Sequence, residues 1–282
     1  MDAVLLALAS AFCFGSMTVL VRLALDRPIA AETGAFWTMV ASFVVGLLGV
    51  AAVGGRSTGD LWQFAAAGVL APGISQLFAT AAIREAGAPR SSVAFGTAPV
   101  FATAFALVLL GEPAVGGLLV GAALIVAGAV VVASESVRPT GFRWLGIGYA
   151  IVTVIMFSAR DTLVRHLALG DTTDPGPAAA ATLGSGAAVL GLVLVLRRKP
   201  LAAWAAPRWV PVGLAFGLSY VLLFHALFRG RVTVVAPIIA TEALWGVVLA
   251  ALVLRRRELV GVRLLVGAVL VVAGGVLIGL NR

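Results

Sequence analysis

The stretch GEPAVGGLLVGAALIVAGAVVVAS at residues 111–134 returns as RELVGVRLLVGAVLVVAGGVLIGL at residues 257–280. At an ungapped offset of 146 the two segments share 11 of 24 residues, including Glu112 with Glu258, Gly121 with Gly267 and Gly128 with Gly274. A match of that length inside one chain points to duplication. A second echo agrees: Phe14 and Leu20-Val21-Arg22 correspond to Phe157 and Leu163-Val164-Arg165 at an offset of 143. Charged positions align along with the apolar ones, which chance similarity between Leu- and Val-rich segments does not explain. The units read as residues 1–137 and 138–282.

The surroundings of this repeat set the class. The chain is 61% hydrophobic and 11% charged, against about 25% charged in ordinary soluble domains. Lipid must cover what charge does not. Crossing about 30 Å of hydrocarbon takes about 20 apolar residues at 1.5 Å each. Ten such runs are predicted, at 3–25, 33–54, 61–83, 91–110, 114–134, 143–167, 177–196, 208–228, 232–254 and 260–280. Turn formers such as Asp26-Arg27-Pro28, Gly111-Glu112-Pro113 and Asp174-Pro175-Gly176-Pro177 separate them. The run from Ala3 has no basic segment before it and reads as the first membrane helix, not a cleaved leader. Backbone groups in lipid must bond within their own segment. The expected fold is therefore an all-α polytopic membrane protein: ten transmembrane helices as two five-helix repeats. An odd number per repeat inverts the second copy, placing a pseudo-two-fold axis in the membrane plane and a cavity between the halves.

Charge and special residues exclude other classes. The net charge is +8, but the basic residues lie in short loops, a topology signal and not a nucleic-acid face. By the predicted spans, 14 of the 20 Lys and Arg fall opposite the termini and 6 on their side. The positive-inside rule then puts both termini outside the cytoplasm. The single Cys13 rules out an internal disulfide and a cysteine-based metal site. No Gly-rich nucleotide loop is present, and no cofactor or metal is expected. His166 and His225 lie in different runs without an acid companion, which disfavours an intramembrane enzyme acting on lipid.

The candidate site residues are polar groups in apolar runs. Glu242 lies about ten residues from either end of its span, where an ionisable group costs several kcal/mol unless paired, protonated or facing water. Trp245, one turn later, is either an aromatic wall or core filler, and Pro237, one turn earlier, loosens the helix. Arg160 and Asp161 stand where the first repeat has Met17 and Thr18, so charge breaks the repeat symmetry there. Asp161 and Arg165 have the spacing of a helix ion pair, and Arg165 alone reads as an interfacial anchor. Gln76, Tyr220 and His225 are further candidates, each also explicable as a packing hydrogen bond. Gly121, Gly128, Gly267 and Gly274 predict a close seam between spans five and ten. Glu112 and Glu258 read as structural carboxylates complementing the starts of those two spans.

The residues Ala98-Pro99-Val100-Phe101, Gly111-Glu112-Pro113 and Gly121 through Ala129, with Glu258, Gly267 and Gly274 in the second copy, resemble the drug/metabolite transporter superfamily. Within it they resemble the ten-helix EamA-type permeases. Trp245 stands where the first copy has Pro99 in this reading. The resemblance implies a plasma-membrane carrier of small metabolites such as amino acids, often outward, by alternating access. Its partners would be a small-molecule substrate and the bilayer, with no nucleic acid, as a monomer or homodimer. Many family members are drawn with cytoplasmic termini, against the arginine count above. The related four-helix multidrug exporters use a glutamate in their first helix, whereas span one here has no acid between Ala3 and Val21. A proton-coupled drug exporter is the other transport reading.

Overall fold

Long apolar runs broken only by short turns leave the backbone one solution in lipid, and the computed structural model adopts it. It describes residues 2–26, 29–53, 59–110, 116–135, 138–139, 141–170, 172–254 and 258–280, with helices and no strands among them. The helices are α1 (Ala3–Ala24), α2 (Ala31–Val53), α3 (Leu61–Gly68), α4 (Ser75–Ala86), α5 (Ala88–Phe95), α6 (Ala98–Leu110) and α7 (Gly116–Ala133). The second half adds α8 (Trp144–Gly170), α9 (Pro175–Leu196), α10 (Ala206–Arg229), α11 (Val232–Ile239), α12 (Glu242–Val253) and α13 (Val262–Leu280). Among the described residues every predicted span is mostly helical, with described helix ends within about three residues of the expectation, the usual scatter of helix boundaries. Among the described residues, eight helices are long and apolar enough to cross a membrane. The multi-pass character is thereby plain. Of the remaining predicted stretches, 91–110 falls on two helices, α5 and α6, that begin at Ala88, and α7 is shorter.

Three of the predicted spans are interrupted, each for a chemical reason. Pro72 sits in a wide turn, Val69–Ile74, between α3 and α4, where Ala71 leaves helical geometry. Pro99 follows the break between α5 and α6, and Pro237 precedes the one between α11 and α12. Proline removes an N–H from the ladder and crowds the preceding turn, so a helix bends beside it.

Helix packing comes in matched sets. α1 lies on α10, and α4 on α8; α2 lies on α10, and α3 with its wide turn on α9; α1 lies on α11 and α12, and α8 on α5 and α6. Exchanging the two halves of the chain maps each of these pairings onto its companion. α2 with α9 and α7 with α13 are their own companions, and α5 with α12 answers α6 with α11. Large apolar side chains such as Leu48, Leu196, Leu252 and Val262 are exposed, while Thr38, Ser42, Gln76 and Thr182 are buried. That distribution suits a protein whose covering is hydrocarbon.

The expected glycine seam is present between α7 and α13. A Cβ on Gly121 would lie 2.6 Å from the Gly274 carbonyl oxygen, and one on Gly128 would lie 2.7 Å from that of Gly267. The partners run in opposite order along the two helices, so repeat-related α7 and α13 pack antiparallel. Backbone meets backbone here, leaving nothing flexible to give way. Gly274→Leu is expected to cost about 1–3 kcal/mol, the range for overpacking, read as lowered thermal stability in detergent. Gly148→Leu on α8, where an added Cβ meets nothing within 4 Å, is the control that leaves stability unchanged.

Candidate functional site

The breaks in the fourth and ninth predicted spans fall at equivalent places. Thr97 follows α5 and Thr241 follows α11, and each hydroxyl donates to the carbonyl three residues earlier, Ala94 and Ile238, at 2.7 Å. The common offset is 144, which pairs Ala98 with Glu242 and Phe101 with Trp245. Pro99 therefore corresponds to Ala243, correcting its pairing with Trp245 in the ungapped sequence reading. The two breaks also touch: a Cβ on Gly96 would lie 2.8 Å from the Ala243 methyl and 3.3 Å from the Ala240 carbonyl oxygen.

Glu242 thus opens a half-helix in mid-membrane, about 15 Å of helix from the nearer face. Its side chain is buried. Asp161 is close enough for the two carboxyl groups to repel when both are charged. Arg160 and Asp161 lie ten and nine residues before the end of α8 at Gly170, and Tyr220 nine residues before the end of α10 at Arg229. Counted from that same face, all four share one level, about 15 Å deep.

The Arg160 guanidinium is enclosed, 1% exposed. Nε lies 3.0 Å from Asp161 Oδ1. Its Cζ sits 4.5 Å from the Tyr220 ring centre, 5.6 Å from Phe157 and 5.7 Å from Phe224, a cage that holds a cation by ring quadrupoles. Phe14 of α1 closes the group at 5.9 Å from Tyr220 and 6.5 Å from Phe157, its own repeat equivalent. Arg160 Nη1 and Tyr220 Oη have no hydrogen-bond partner among the described residues. Buried polar groups are rarely left so. At the equivalent positions of the first half, Met17 is buried and Thr18 is engaged with Ser92 Oγ at 2.9 Å and the Gly15 carbonyl at 2.8 Å. Charge is confined to one wall.

The remaining sequence candidates scatter. Trp245 is 39% exposed, edge-on to Phe12 at 5.1 Å, on an outer stripe with Val248 and Leu252; the structure does not bring it to Arg160. Gln76 is fully buried on α4 with both amide atoms unpartnered among the described residues. His225 lies a turn from the end of α10, its Nδ1 3.1 Å from Arg229 Nη1, closer to the face than the Arg160 group. The Asp161–Arg165 pair favoured by spacing is not formed. Asp161 pairs with its neighbour Arg160, and Arg165 Nη1 instead donates to the Leu227 carbonyl at 2.8 Å, tying α8 to the last turn of α10.

A second charged cluster, unforeseen in the sequence, lies at the opposite face. Arg90 of α5, 1% exposed, donates from Nε to Glu135 Oε2 at 2.8 Å and from Nη1 to the Glu258 carbonyl at 3.1 Å. The Glu258 carboxylate is fully buried, pairs with Arg22 Nε and takes the Ala88 N–H at the start of α5. It therefore complements α5 and not the following α13, as the sequence suggested; the chain turn places it four residues before α13 begins. Burial pushes the Glu258 carboxyl above its usual range, against the pull of Arg22 and then Arg90. Glu112, its sequence equivalent, lies outside the described residues. Arg22, Arg90 and Glu135 belong to the first half and Glu258 to the second, so the cluster ties the halves together.

A family model described as the EamA-like transporter family matches residues 1–134 and again 144–280. No curated protein matches the chain. A solved crystal structure shares the fold with a TM-score of 0.70 at 17% identity, over 98% of this chain and 95% of the other. At that identity the likeness concerns the fold alone.

Proposed function

The chain belongs to the EamA-like transporter family, membrane transporters of the drug/metabolite type, and from that premise we propose a secondary carrier that exports a small amino-acid-like metabolite across the cell membrane by alternating access. One observation carries the reading: a caged arginine and two carboxyl groups share one level in mid-membrane, with donors on Arg160 and Tyr220 that have no partner among the described residues. Arg160 suits a substrate carboxylate, and Glu242 with Asp161 suits an amine. Gln76 is a further polar wall.

We read the chain as ten crossings in two inverted five-helix units, 1–137 and 138–282. The antiparallel α7–α13 seam, the Phe14–Phe157 contact and the matched breaks all relate one half to the other by exchange. Two such halves can rock about the shared layer and expose it to either side in turn. The Arg22–Glu258–Arg90–Glu135 cluster closes one face between the halves and must part when that face opens. By the 14-to-6 arginine and lysine excess, that face is cytoplasmic and both termini are outside.

Counterflow into proteoliposomes tests the reading, with labelled amino acids, organic cations and sugars, each with and without a pH gradient. Amino acids alone should exchange. Exchange of organic cations that depends on the gradient would instead favour a proton-coupled drug exporter, and no exchange of any of them would end the proposal. Tyr220→Phe removes only the hydroxyl and should raise the half-saturating concentration about tenfold, a buried hydrogen bond's worth.

A further inference from the structure

Away from the mid-membrane layer, a partly open recess lies where α5, α7 and α8 meet near the face of the Arg90 cluster. Val132, Ile147 and Ile151 form its apolar walls; Arg138, Phe142 and Trp144 stand at its mouth. Trp144 is the first residue of α8 and is 52% exposed, and Arg138 follows the end of α7. The mouth thus lies at the level where helices leave the hydrocarbon. Arg138 is held there by its surroundings: its Cζ lies 4.5 Å from the Trp144 ring and 4.8 Å from Phe142, and Nη2 donates to the Ala133 carbonyl at 2.7 Å.

We propose that this recess seats an anionic phospholipid, its phosphate on Arg138 and the first part of an acyl chain along Val132, Ile147 and Ile151. The inference needs only that the chain sits in a bilayer, not the carrier reading. Arg90, at the inner end, is already committed to Glu135 at 2.7 Å, whereas no carboxylate among the described residues pairs with Arg138 within 4.0 Å. A cation at the membrane interface without an acidic partner draws an anionic headgroup. Two ring faces fix its direction, and aromatic residues favour that depth. The apolar walls select the source. A soluble phosphate gains nothing from them, while an acyl chain does.

Native mass spectrometry of the detergent-solubilised protein, titrated with phosphatidylglycerol and phosphatidylcholine of matched chains, tests this. The wild type should bind phosphatidylglycerol more tightly. Arg138→Gln should weaken phosphatidylglycerol about fivefold, one basic contact at a charged surface, and leave phosphatidylcholine unchanged. Arg143→Gln, whose guanidinium is paired with Glu85 at 3.1 Å, should keep the preference. Ile147→Trp, which fills the recess, should weaken both lipids and carries the test alone if Arg138→Gln does not fold. Equal affinities in the wild type, an unchanged preference in Arg138→Gln, unchanged binding in Ile147→Trp, or displacement by millimolar glycerol phosphate would each overturn the proposal.

Discussion

Glu242→Gln is expected to reduce substrate counterflow about a hundredfold while the protein still inserts and folds, because truncating one side of a desolvated charged contact costs about 2–5 kcal/mol. The substitution keeps shape and hydrogen-bonding capacity and removes only the charge and its proton. Glu242 is buried about 15 Å inside the span, and Arg160, the cation of the same layer, is already engaged with Asp161. A carboxyl group so placed is uncompensated unless it takes up a proton or meets a cationic group on the substrate. Its amide replacement does neither. Counterflow in liposomes, with gel filtration and thermal unfolding as checks on folding, measures the effect. Wild-type flux in the variant would remove Glu242 from the mechanism and leave it a packing residue.

Arg90→Met should be the most destabilising single change at the opposite face, by about 3–5 kcal/mol, the cost of leaving buried charge without its partner. Two carboxylates lose a cation at once, Glu135 at 2.8 Å and Glu258 at 3.8 Å. The pH dependence has a definite sign. Burial already raises the Glu258 carboxyl above its unfolded range, so ionised Glu258 costs folded-state stability and protonated Glu258 does not. Its stabilising contribution is full below the unfolded value and is lost as pH rises through the folded one. Without Arg90 that loss deepens. The deficit of Arg90→Met should therefore shrink as pH falls from 8 towards 5. Glu135→Gln on the Arg90→Met background should recover part of the loss, a coupling that unfolding of the four proteins in detergent reads directly. A deficit independent of pH and of Glu135 would mean that Arg90 contributes only packing.

The candidate site was half visible in the chain. Glu242 stood out because depth in a membrane span follows from counting residues between turn formers. Arg160 and Asp161 stood out because they replace Met17 and Thr18 in an otherwise repeated helix. Trp245 was harder, since the side it faces depends on how α12 leaves the break after α11, and spacing alone does not set that angle. Arg90 was missed altogether. It lies just outside the predicted span beginning at residue 91, where pattern alone makes it one more loop charge, whereas α5 begins at Ala88. Pro89 was the available signal, as proline favours the first turn of a helix, and it would have moved Arg90 inside the span. Its partners, 45 and 168 residues away, leave no trace in local pattern.

That this chain is an apolar, multi-pass helical protein with a duplicated plan is legible in the chain alone, because hydrophobic run length and internal similarity are properties of the string. The same string shows which helices carry glycine on a contacting face. Which charges meet is set by the packing of the helices: Asp161 answers Arg160 and not Arg165, Glu258 serves α5, and Trp245 faces outward. In hydrocarbon the apolar side chains gain little by choosing one neighbour over another. Partner choice falls to the few polar groups and to close backbone approach, and these depend on where separate helices cross.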